Sequence, residues 1–391
     1  MEPSGTYMPA SRRRRPPRWF AVTTAAIAFV AVFGGIGMAI WFAASNAKAP
    51  DAAASASQTP SATPTPTPTP LTPQEELLAQ ANDPAACVVT FTGEAVESVA
   101  PMLQTQGVLY AALPIPAADG RVFAGWYASE ADAAALAIPG RVNGADLVTC
   151  VEQQITLHSA WMSPEENAAV DAGIPILMYH QFTDRPEGLA PDHPDHWLKG
   201  NYAYIGDFDA HMNHIATTGF YLPTWDELAA FIDGRLYLPD HSVIITDDDA
   251  HPTWLELAAP IVNAKGLMTT SFIISAYGPI PAPGPFVIGR SHTHDMHQAG
   301  ANGKGRMVNW TADEIAADLE LSGAALGVKE VIAYPFGHYN DTAKAGVAQA
   351  GFALARTIEP GVVRIGTDKL ALPVVRIDYG MGLDALVNRI G

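Results

Sequence analysis

HSVIITDDDAHPTWLELAAPIVNAKGLMTTSFIIS, residues 241–275, decides how the rest of the chain is read. Residues 243–246, Val-Ile-Ile-Thr, read as a buried strand that stops on Asp247, Asp248 and Asp249. A helix follows, with Thr253 and Glu256 spaced as a capping box and Gly266 as its stop. Residues 271–274 form the next apolar strand. Neighbouring side chains on a strand point to opposite faces, so adjacent aspartates share one site only where the strand has opened into a loop. Pro252 supports that placement, because proline cannot continue a central strand. Loops at the carboxyl ends of parallel strands are where α/β proteins hold their chemistry. Three packed carboxylates repel one another unless a cation sits among them or one takes a proton.

Outward from this stretch, apolar runs alternate with capped helical patterns. IPILMY from Ile174 is a strand. Residues 207–217 are amphipathic, and Thr224 with Glu227 caps a helix to about Asp233. Thr311 with Glu314 caps another helix that ends near Leu326; VIAYPF is a strand; a helix over 342–350 stops at Gly351 and a strand over 352–357 follows. Alternation over this span argues for a parallel sheet closed as a (β/α) barrel. Polar groups gather at three further strand ends: Tyr179-His180-Gln181, the run Arg290 to His297, and Tyr334-Pro335-Phe336-Gly337-His338. A lone imidazole is usually a satisfied surface group, but His292, His294 and His297 lie close together, and one Asp with two His and open positions suits zinc or another transition metal.

Taken in order, these segments resemble the NodB-type polysaccharide deacetylases, carbohydrate esterase family four, over about residues 174–380. They resemble most the branch that opens with P-x-L-M-Y-H and carries H-T-x-x-x-H. The resemblance implies a distorted (β/α) barrel and a divalent metal, zinc first, with cobalt or nickel as alternatives. The family's T-F-D-D-G-Y falls on residues 246–251, which makes Asp248 the base and Asp249 a metal ligand. His292 and His297 become the other two ligands and His180 the general acid. The F-A-Y-P-Y-G segment falls on residues 332–337. Tyr334 and Pro335 would shape the acetyl pocket, and the Phe336 backbone N–H would receive the oxyanion. The sequence departs from the family pattern at Asp247 and His251, each in place of an aromatic, and at Ala250, in place of glycine. A positive φ would cost Ala250 about 1 kcal/mol or more. A third carboxylate would raise the pKa of the base or recruit more cation. Ala333 replaces the family arginine, for which Arg376 is the expected compensation at the substrate site.

Residues 77–157 form a smaller unit. The chain's two cysteines, Cys87 in CVVTF and Cys150 in DLVTC, are both expected outside the cell, where an oxidised pair would staple a first strand to a last. VTF, LPIP and FAGWY resemble the internalin B-type repeat of bacterial surface proteins, implying a β-grasp-like spacer or weak wall contact. Trp126 and Tyr127 suit sugar stacking, but buried core aromatics are the simpler reading.

The address lies at the start. Arginines 12–15 and 18 precede a stretch, 19–47, with no charged residue, longer than the roughly 20 apolar residues a spanning helix needs. A transmembrane helix over 19–45 is expected, with 1–18 cytoplasmic and the remainder extracellular; a cleaved signal peptide is the competing reading. Residues 46–76, rich in Thr and Pro, read as an extended spacer. A formal charge of −18 over 391 residues argues against nucleic acid. The expected protein is a single-pass, membrane-anchored polysaccharide N-deacetylase, residues 158–391, acting on N-acetylglucosamine-type residues of cell-envelope glycan. A glycan-binding surface protein without turnover is the alternative, and ester substrates stay open.

Overall fold

The computed structural model describes residues 71–391, which form one compact unit. The expected cytoplasmic tail, membrane helix and most of the spacer lie outside the described residues. Among the described residues, no helix is long and apolar enough to cross a membrane. A first helix, α1 (Pro73–Ala81), begins inside the expected spacer, because Thr72 and Glu75 make a reciprocal capping box there.

A five-stranded sheet follows: β1 (Ala86–Thr92), β2 (Met102–Thr105), β3 (Val122–Tyr127), β4 (Arg141–Val142) and β5 (Gln154–Met162), with α2 (Glu130–Ala135) after β3. Its order is β2-β1-β5-β3-β4, with β1 and β5 parallel at the centre. Cys87 and Cys150 are disulfide-bonded. Cys150 is not in a strand, however. Residues 145–150 make only an isolated bridge through Leu147, and the last strand begins four residues later. That strand runs to Met162, so an expected boundary at 157/158 falls within it. Trp126 and Tyr127 are buried, with the indole N–H on the Pro114 carbonyl and the phenol on the Ala124 carbonyl.

After α3 (Pro164–Val170) comes the parallel barrel. Its strands are β6 (Ile176–Tyr179), β9 (Ile244–Asp248), β10 (Thr269–Ile273), β11 (Val287–Ser291), β12 (Val331–Ala333), β13 (Leu354–Pro360) and β14 (Leu372–Arg376); between β6 and β9, β7 (Gln181–Thr183) and β8 (Tyr202–Tyr204) form a separate ribbon. The barrel closes in the order β10-β11-β12-β13-β14-β6-β9, all parallel. Strands covered on both sides read as near-continuous apolar runs, which is why the sequence marks them. The outer helices are α4 (Ile205–Thr217), α5 (Trp225–Ile232), α6 (Ala259–Lys265), α7 (Ala312–Leu326), α8 (Asp341–Gln349) and α9 (Leu383–Ile390). The expected boxes at Thr224/Glu227 and Thr311/Glu314 form, and Gly266 ends α6 in the left-handed conformation.

The Thr253/Glu256 box does not form. The helix there opens with a π-helical turn, Trp254–Ala258, and the Thr253 hydroxyl is taken by the Phe182 amide and the His251 ring. Thr253 is already helical (φ −68°, ψ −31°), so it does not sit where an N-cap would, and its hydroxyl is used elsewhere.

The small sheet and the barrel share a core. Cys87, Val89, Phe123, Trp126 and Leu157 pack in one cluster with Trp225, Leu228, Leu236, Ile244 and Leu354. Backbone bonds cross between Phe123 and the 235–237 segment. A buried polar knot joins them as well. Glu227 accepts from Arg141 (3.3 Å), Asn143 (2.6 Å), the Tyr221 hydroxyl (2.6 Å) and the Thr224 amide (3.0 Å).

Candidate active site and metal centre

The strand from residue 244 outlasts its apolar run: it continues through Asp247 and Asp248. The two carboxylates therefore point to opposite faces. Asp247 is fully buried and accepts from the Ser271 hydroxyl of β10 at 3.1 Å. Burial first, then the charges of Asp248 and Asp249, push its carboxyl well above the ordinary range, so ionisation is disfavoured most at Asp247 among the three. Asp248 meets Arg356, which reaches it from β13 with two strands between, and His180, whose Nε2 lies 3.5 Å from its Oδ2. Burial raises the Asp248 carboxyl, but the Arg356 guanidinium and His180 outweigh that and hold it low. Arg356 and His180, not Asp247, thus dominate the electrostatics of the base.

The chain then turns over. Asp249 has φ 75° and Ala250 φ 47°, both left-handed. This reversal brings Asp249 back to the side that Asp248 faces. Its Oδ1 lies 3.3 Å from His292 Nε2 and 3.4 Å from His297 Nε2, and one donor atom from each of the three fits within 4.8 Å. That oxygen is buried and has no hydrogen-bond partner. His292 Nδ1 lies 2.9 Å from the Ala333 carbonyl, which only accepts; Nδ1 thus carries the hydrogen and Nε2 turns its lone pair to the site. Burial raises Asp249, but His292 and His297 bring it below the usual carboxylate range. Burial pushes His297 down to about 4, while Asp249 draws His292 upward against its own burial. An orphaned carboxylate oxygen beside two imidazole nitrogens is a donor set that suits a divalent transition ion, with positions left open.

The remaining expected residues divide. His180 stands beside the base, and burial lowers its pKa against the pull of Asp248 and Asp249. Phe336 lies in the turn after β12 with φ 59°; its ring is 44% exposed and 4.2 Å from that of His297. Tyr334 offers no side chain to a ligand: it is 1% exposed, stacked on Tyr339, and its hydroxyl donates to the Leu370 carbonyl. Pro335 is buried beneath the same turn. Arg376 does not contact Asp248, although its charge lies close enough to act on His180. Its guanidinium is engaged with Asp378 at 2.8 Å and Asn201 at 2.6 Å, whereas Arg356 is the guanidinium on Asp248. His294 turns aside to the Ser275 hydroxyl. Arg356 was the residue that pattern reading missed. Its signal was present: a charged residue inside the otherwise apolar run FALARTI has to find a buried anion.

The chain matches no protein-family model. It is 24% identical over 244 residues to a Bacillus subtilis protein provisionally named a polysaccharide deacetylase, an alignment covering 57% of this chain and 76% of that one. It is 27% identical over 160 residues to the poly-beta-1,6-N-acetyl-D-glucosamine N-deacetylase of Staphylococcus aureus, covering 36% of this chain and 55% of that one. Among solved structures, a Streptococcus pyogenes deacetylase in complex with acetate aligns with a TM-score of 0.47 at 21% identity, over 56% of this chain and 99% of that one. The chain's named relatives in sequence are polysaccharide deacetylases.

Proposed function

We propose that the chain is a zinc-dependent polysaccharide N-deacetylase that removes acetyl groups from N-acetylglucosamine-type residues of cell-envelope glycan. The observation that carries the reading is the convergence of Asp249, His292 and His297, with Asp248 and His180 beside them, at the carboxyl ends of the barrel strands. The deacetylase names of the relatives support it. An ion held by the three ligands supplies Lewis acidity, polarising the acyl oxygen and acidifying water.

This chain's residues do the proton work. Asp248, kept ionised by Arg356, takes a proton from the attacking water as its oxygen bonds to the acetyl carbon. As the carbon–nitrogen bond breaks, His180 gives a proton to the departing amine, which otherwise leaves poorly. The short separation of His180 and Asp248 gives the first proton a route to the second site. Acetate and a free amino sugar result. The turn at Phe336 shapes the acetyl side of the cleft and offers a backbone N–H to the developing oxyanion.

In this reading residues 19–45 anchor the chain in the membrane, the Thr/Pro-rich segment holds it clear of the bilayer, and residues 71–391 work outside the cell. The small sheet's internalin B-type resemblance fits a contact with wall polymer. The test is acetate release by the purified, zinc-loaded full chain from chitooligosaccharides and peptidoglycan. Release is expected from at least one. No release from either leaves a protein that holds glycan without cutting it.

A further inference from the structure

Helix α7 bears no ligand, yet it touches the histidine-bearing turn on both sides. Asp318 is 6% exposed, and its two carboxylate oxygens accept from consecutive backbone amides, Oδ1 from His294 at 2.7 Å and Oδ2 from Asp295 at 2.9 Å. One helical turn on, on the same face, the buried Ser322 hydroxyl lies 2.8 Å from that of Ser291, the residue before His292. The Ser291 hydroxyl in turn accepts from the Thr293 amide at 3.0 Å.

Thr293 needs this restraint. It has φ 71°, an uncommon conformation for a β-branched residue, and it sits between the two proposed ligands. Its own hydroxyl accepts from the Met296 amide at 3.2 Å, closing the loop between His292 and His297. A buried carboxylate is costly unless fully hydrogen-bonded, and charge-assisted bonds to amides are the strong kind. The sites that Asp318 satisfies are the two amides midway between the imidazoles.

We infer that Asp318 and Ser322 are positioning residues for the ion site: α7 grips the turn at two points and sets the separation of His292 and His297. The inference rests on the ion-site reading above and adds residues that touch neither ion nor substrate. Groups hydrogen-bonded directly to ligating side chains typically contribute about 10- to 100-fold in affinity, so a grip on the backbone between the ligands is expected at the low end, about 10-fold.

The experiment titrates metal-free full chain with cobalt(II), following its visible absorption, and records the melting temperature of the metal-free protein. Asp318→Asn keeps the shape but sets an NH2 group against one amide. It should weaken cobalt binding by about 10-fold, and Ser322→Ala by a smaller but measurable factor. The cobalt spectrum of Asp318→Asn should also shift at saturation, as a merely stabilising loop contact would not require. If Asp318→Asn fails to fold, the Ser322→Ala affinity decides. Wild-type cobalt binding that His292→Ala abolishes, but that Asp318→Asn and Ser322→Ala leave unchanged, overturns the grip alone. No cobalt uptake by the wild type overturns the ion-site reading and the grip with it.

Discussion

Arg141 and Arg356 are both all but closed to solvent, and each faces a carboxylate, yet what surrounds the two pairs is opposite in kind. Glu227, the partner of Arg141, gathers four kinds of donor, a guanidinium, an amide side chain, a phenol and a backbone N–H, although Arg141 keeps Nε and Nη1 unpaired. It joins the small sheet to the barrel. Asp248, the partner of Arg356, instead has His180 at 3.5 Å and the orphaned Asp249 next in the chain. The same ion-pair chemistry thus closes one region and primes the other. A carboxylate surrounded by donors is held for structure; one beside a histidine and an unpaired carboxylate oxygen is available for a reaction.

Four measurements would break or sharpen that contrast. Asp248→Asn should lower acetate release by about 10²- to 10⁴-fold, the usual loss for a general base; release at the wild-type rate would remove Asp248 from the chemistry. Reducing the Cys87–Cys150 bridge, which closes 63 residues, should lower stability by about 4 kcal/mol on the chain-entropy model. The sequence suggests two separable modules, but the shared core predicts that this loss appears in one unfolding transition of the whole described unit, with acetate release by folded protein nearly unchanged. Two resolved transitions in calorimetry would contradict it. Glu227→Gln leaves Arg141 buried without its counter-charge and should cost about 3 kcal/mol in urea unfolding while sparing turnover. A large loss of turnover at unchanged stability would erase the division between the pairs. Ala250→Gly should raise stability slightly, by about 1 kcal/mol, because Ala250 is held at a positive φ that glycine adopts freely.

Much of the barrel was legible because its signals are local. Capping boxes at Thr224 and Thr311 and the glycine stop at Gly266 depend on neighbours three or four residues away. The Thr253 box failed because Thr253 already lies in helical conformation, its hydroxyl serving the Phe182 amide and the His251 ring instead. Asp249, His292 and His297 were placed together from strand-end positions and the family resemblance, and they do converge. What local pattern could not supply was the pairing of groups far apart in sequence. Asp248 and Arg356 are separated by 108 positions and by two strands round the barrel. Nor did the pattern show that the strand would continue through Asp248, so that a left-handed reversal, rather than an early loop, brings Asp249 to the shared face.

The floor that the small sheet provides has a practical meaning for anyone shortening this protein. A truncation started at residue 158 would cut β5 in half and strip the cover from Trp225, Leu228 and Leu236. Such a fragment would keep every proposed catalytic group and still present a greasy underside to water. Its expected fate is insolubility, which an assay would misreport as lack of catalysis.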